Sequence, residues 1–296
     1  MKTLSTLTFA LLMTTGALFA GESVDVTIRA DSDALIEIEN LSGSVKVTGW
    51  DQNEVKVTGT LGDDTEGLST SGEGSHIVIE VEIPERSHGR GRRDYESSLE
   101  IWVPADGRLD VETVSAGIEV SDVTGKLDLE SVSGSVDITG SPSVADVETV
   151  SGGITISGAQ TRVTAESVSG NIKLDGVAER VDVATVSGRI EVEAGQIDRG
   201  EFETVSGNIT VEGSLGPDAS FDLDCHSGNV NLTLPADTSA AFEVSTFSGE
   251  IQNDFGPGAK RTSKYAPGKY LEFSTGSGGA DVSIETFSGN VYLKKR

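Results

Sequence analysis

Carboxylates recur in this chain at a spacing that could gather cations. Glu112, Glu130, Glu148 and Glu166 stand 18 residues apart, with Asp128 and Asp146 two residues ahead of Glu130 and Glu148. If successive 18-residue units stack as neighbouring strands, like charges come within about 5 Å and repel by roughly 1 kcal/mol per pair in water. A hard cation held by oxygen ligands would relieve that repulsion, and Ca²⁺ is the ion such a set suits. The six residues therefore form a candidate cation-binding face, weighed against a plain solvated acidic face. The repeated calcium nonapeptide is absent, and Gly278-Gly279-Ala280-Asp281 is an isolated fragment of it.

The repeated Val-Ser-Gly motif raises the question of a nucleophile. Its serines are Ser42, Ser115, Ser133, Ser151, Ser169, Ser187, Ser206, Ser227, Ser248 and Ser288. Ten equivalent serines without a His/Asp partner or a nucleophile elbow read as structure. The hydroxyl is expected to bond the turn backbone, and the following Gly to adopt positive φ or admit a close backbone approach. His76, His88 and His226 fit no metal-ligand spacing, and His226 takes a corner position held elsewhere by Val or Phe. The single cysteine, Cys225, occupies a Thr/Ser position and reads as a small filler. No catalytic residue and no cofactor is expected, Ca²⁺ apart.

The elements that position these groups follow from the period. The serines recur every 18 residues from Ser115 to Ser187, then at 19, 21, 21 and 40. Regular repetition of this kind marks a repeat architecture. In "KLDLESVSGSVDIT" (126–139), Leu127 and Leu129 alternate with acids before the corner, and Val136 and Ile138 alternate after it. This predicts two half-buried strands per repeat. With no helical crossover for a compact parallel sheet, the expected fold is all-β, a parallel β-solenoid with rungs of about 18 residues. An inward ladder should run through Ile38, Val111, Leu129, Val147, Ala165, Val183, Phe202, Leu223, Val244 and Ile284. A ladder of small residues beside the corner includes Thr113, Ser131, Thr149, Ser167, Thr185, Thr204 and Cys225.

Residues 1–20 read as a signal peptide, with Lys2, an apolar Leu4–Leu18 stretch and cleavage after Ala20. Residues 21–296 are expected as a single solenoid domain. Within it, 21–110 is less regular and begins the stack, 111–255 holds the regular repeats, and 256–296 carries the last rungs with an inserted loop. Two basic loops, 85–95 and 256–270, should protrude from the body. The net charge of −26, from 48 acidic against 22 basic residues, argues against nucleic acid and anionic membrane as partners. No other segment is long and apolar enough to span a bilayer. The chain is expected to be exported, periplasmic or at the cell surface.

Several stretches resemble a bacterial family of exported β-strand-repeat proteins known by the name adhesin and without an assigned function. They are "SGSVKVTGWD" (42–51), "LEIWVPADGRLDVETVSAGIEV" (99–120), the central VSG repeats and "LEFSTGSGGADVSIETFSGNVYLKK" (271–295). The resemblance implies a solenoid-like fold and an envelope location, and brings no catalytic residues. The expected role is a non-catalytic, adhesin-like interaction protein whose partner is a protein or polysaccharide of the envelope. Two alternatives stand beside it: an envelope-stress sensor binding a partner protein, and a β-helical polysaccharide lyase or hydrolase.

Overall fold

Period-two patterning yields strands with one buried face. In Lys126–Ser131, Leu127, Leu129 and Ser131 are buried while Lys126 and Glu130 face solvent. The computed structural model describes residues 21–84, 93–158, 162–263 and 267–296. Residues 1–20, expected as a signal peptide, and most of the first basic loop, His88 included, lie outside the described residues. Among the described residues, twenty strands join in one mixed sheet and no helix occurs. The chain is all-β, with a β-solenoid-like repeat.

Two columns of parallel strands run through the body, one before each Ser-Gly corner and one after it. In the first column Leu109 pairs with Leu127, then in turn Ala145, Val163 and Val181, each 18 residues on. In the second column Ile118, Val136, Ile154, Ile172 and Ile190 repeat that offset. Buried side chains of the two columns form one continuous core cluster from Ala30 to Leu293. Where the offset grows to 19 and 21, the core adapts in volume. Gly200 lies in register with Phe221, and the Phe202 and Phe221 rings fill the space beside it with centroids 5.8 Å apart. A Cβ on Gly200 would meet Phe202 Cε2 at 2.6 Å.

The ladder members are as expected, but their order at both ends is not the chain order. Leu223 pairs with Ile284, and Ile284 pairs on its far side with Val244. The last rung in sequence is thus inserted between 219–234 and 240–253. The N-terminal end mirrors this. Ile36 pairs with Leu109 on one side and Ile77 on the other, so the first rung sits inside a later one. Antiparallel strands cover the outermost rungs. Glu54–Thr60 lies against both Ser23–Arg29 and Ser98–Trp102. The second basic stretch does not simply protrude. Lys260–Arg261 pairs back on Lys269 and Tyr270, and Lys269–Ser274 lies antiparallel on the Ala240–Ser248 strand. An antiparallel cover breaks the register that would let another stack add on.

Candidate functional site

The corner is built by close stacking. At Gly134, Gly152, Gly170 and Gly188 an added Cβ would lie 1.8 Å from the carbonyl oxygen of the corner one rung earlier. These glycines do not adopt positive φ, so of the two expected reasons only close approach applies. The expected role of the serine hydroxyl is not met. Ser133, Ser151, Ser169 and Ser187 are exposed, and their side chains make no hydrogen bond among the described residues. Their backbones do the work: Ser133 N–H donates to Val114 O at 2.8 Å. The side-chain bond comes from the buried residue two positions earlier. Gly134 N–H donates to Ser131 Oγ at 2.9 Å, Gly170 N–H to Ser167 Oγ at 2.8 Å and Gly188 N–H to Thr185 Oγ1 at 3.0 Å. Cys225 fills the equivalent place, buried, its thiol donating to Gly207 O at 3.4 Å and raised in pKa first by burial.

Because Ser131 and its equivalents point inward, the residue between them and the serine must point outward. That residue is the valine of Val-Ser-Gly. Val114, Val132, Val150, Val168, Val186 and Val205 are each 44–51% exposed and lie in consecutive rungs. The row continues through His226, Phe287 and Phe247. His226 stacks on Phe287 at 4.9 Å, and Phe287 on Phe247 at 4.8 Å, which is again the inserted order and not the chain order. The sequence reading left these valines as corner residues. Strand parity was the signal that could have exposed them.

Two residues back on the same face runs the acidic row. Glu112, Glu130, Glu148 and Glu166 are register partners in succession. The row continues with Ala184 and then Glu203 and Asp224. Both rows line one long groove of about 870 Å³, running from Ile83 and Leu41 to His226. The Glu130 carboxyl is raised above its ordinary value, first by burial and then by Glu148 and Glu112. Glu39, Glu203 and Asp224 are raised too, with burial first and neighbouring carboxylates second. Of the other candidate cation ligands, Asp128 and Asp146 sit further from the corner, with Lys126 Nζ 3.4 and 3.2 Å from them. The Asp row thus holds a counter-charge that the Glu row lacks. Neither Glu112, Glu130, Glu148, Glu166, Glu203 nor Asp224 forms an ion pair among the described residues. No three His, Cys, Asp or Glu side chains converge into a metal cage among the described residues. His76 Nε2 lies 3.1 Å from Glu37 Oε1, away from the groove.

Residues 18–294 match the Toastrack DUF4097 family. No curated protein matches the chain. Among solved structures, a candidate lipid-binding protein of Parabacteroides distasonis is 14% identical, over 93% of this chain and 98% of its own, with a TM-score of 0.52. Candidate adhesins of Parabacteroides distasonis and Bacteroides fragilis are 10% and 8% identical. Each comparison covers 92% of this chain and 97% of the other, with TM-scores of 0.45.

Proposed function

Since this chain belongs to the Toastrack DUF4097 family, we propose a non-catalytic, adhesin-like binding role in the bacterial cell envelope, exercised through the corner groove. The observation that carries this reading is the exposed apolar row, its valines 44–51% exposed from Val114 to Val205, flanked by Glu112, Glu130, Glu148, Glu166 and Glu203 without a counter-charge among the described residues. Contiguous exposed apolar surface of this kind marks an interaction site. The name borne by the Parabacteroides distasonis structure of similar fold agrees with an apolar component in the ligand. The six corners of this chain from Val114 to Val205 differ little from one another, which suits a long ligand lying across many rungs and not a small substrate at one. Export through residues 1–20 and a single solenoid body over 21–296 belong to the same proposal. So does weak association of cations with Glu112, Asp128, Glu130, Asp146, Glu148 and Glu166.

The test is sedimentation of labelled protein with isolated cell-envelope material. The parent should co-sediment saturably. Val132→Ser/Val150→Ser/Val168→Ser should lose at least fivefold in affinity while its melting curve is retained. Equal retention of parent and variant would remove the groove from the function.

A further inference from the structure

We infer that the groove takes a cationic amphipathic helix from a partner polypeptide, laid along the stack axis across the corners. This rests on the groove being the binding surface and adds what fills it. The first argument is charge. Glu112, Glu130, Glu148, Glu166 and Glu203 flank the valine row on one side without ion-pair partners among the described residues. On the other side of the row stand the neutral, exposed Ser115, Ser133, Ser151 and Ser169. A ligand that buries the valines brings its own flank beside the carboxylates. A cationic flank is attracted there, while an anionic head group or acidic peptide is repelled.

The second argument is spacing. Successive valines are about 4.8 Å apart, the distance between hydrogen-bonded strands. Side chains on one face of an extended peptide repeat at roughly 6.8 Å and fall out of step after two or three rungs. A helix running along the stack presents apolar side chains about every turn, near 5.4 Å, and keeps closer step. From Val114 to Val205 the row spans about 24 Å, which some 16 helical residues cover in between four and five turns. Lysines one position off the apolar face of such a helix reach the Glu row, which lies about 7 Å from the valines along the strand. At the far end, the flat edges of the stacked His226, Phe287 and Phe247 rings widen the apolar surface for a bulkier residue.

The experiment is calorimetric titration of residues 21–296 with a synthetic 18-residue helix of leucines on one face and lysines flanking it. The same helix with glutamates for lysines, and a fluorescent fatty acid, are titrated in parallel. Saturable binding of the lysine helix is expected, with at least tenfold weaker binding of the glutamate helix. Binding should weaken at least fivefold in 0.5 M sodium chloride (about 4 Å screening length) and at least fivefold in Glu112→Gln/Glu130→Gln/Glu148→Gln. Val132→Ser/Val150→Ser/Val168→Ser should weaken it at least tenfold with circular dichroism unchanged. Equal affinity for the two helices, or lysine-helix binding that neither set of substitutions weakens, overturns the inference. Fatty-acid binding lost in the valine variant, with no helix binding, overturns the helix and leaves the groove reading standing. Loss of neither probe's signal in the valine variant overturns both.

Discussion

The middle of this molecule and its two ends solve the same problem differently. From Lys126 to Leu234 each rung stacks on the one before it in the chain, and one corner geometry is repeated with little change. At the ends the order is rearranged. The first rung is enclosed by the strands of 67–104, the last is enclosed by 240–253, and antiparallel strands lie outermost. A parallel stack propagates by identical hydrogen bonding and has no internal reason to stop. The ends stop it by turning the last strands round. They also place both terminal rungs where they are paired on two sides. The lesson is that a repeat sequence encodes how rungs pair, while termination needs residues that break the repeat.

The largest expected effect breaks the comparison at the inserted rung. Truncation before Ala280 removes a rung from inside the stack, so Ala240–Ser248 loses its parallel partner along with the deleted strand. Hydrogen exchange should show loss of protection over 240–253 and 269–274, with protection at 109–193 retained. Undiminished protection over 240–253 would mean that the rungs stack in chain order after all.

Next in size is the corner glycine of the middle against a glycine of the cap. Gly170→Ala places a Cβ 1.8 Å from a backbone oxygen that cannot move without disturbing the rung below. A cost of about 2–4 kcal/mol is expected in urea unfolding. Gly258→Ala, with open space around it, should stay within about 0.5 kcal/mol. Similar costs at the two sites would show that the corner is not close-stacked.

Smaller again is the contrast between two serines of one corner. Ser167→Ala leaves the Gly170 N–H without its partner at 2.8 Å and should cost about 1–2 kcal/mol. Ser169→Ala, exposed and unbonded through its side chain, should cost under about 0.5 kcal/mol. The reverse ranking, read from the same unfolding curves, would restore the exposed serine as the structural one.

The smallest effect concerns the acidic row. Glu39, Glu130 and Glu203 are raised above 4.5, and Asp110 and Asp224 above 3.8, by burial first and by neighbouring carboxylates second. The folded chain therefore holds more protons than the unfolded chain just above those values. Stability should rise as pH falls from neutrality through the raised values towards 4.5. Glu130→Gln/Glu148→Gln should flatten that slope and raise the melting temperature at pH 7. Calcium should add a small stabilisation that the same variant reduces; equal stabilisation by sodium at matched ionic strength would leave screening alone. A melting temperature that falls steadily between pH 7 and 5 would contradict the raised carboxylates.

Much was determined locally. Alternation in "KLDLES" and "VDIT" sets which face of each strand is buried, because side chains in a strand must alternate. The 18-residue period sets the pairing offset, because identical corners stack best on one another. The cysteine at 225 and the small residues at 131 and 167 could be placed inward from the same pattern, and the carboxylates of the Glu row outward. Three things waited for the tertiary structure. The order of the end rungs did, because Val244 and Ile284 fit the same ladder site equally well and only packing of the aromatic layers and the antiparallel cover chooses between them. The corner hydrogen bond did, because a hydroxyl at 131 and one at 133 are chemically alike and differ only in burial. The groove did, because a single exposed valine means nothing in sequence. It becomes the wall of a groove only when stacking lines up Val114 to Val205 beside a row of carboxylates without ion-pair partners among the described residues.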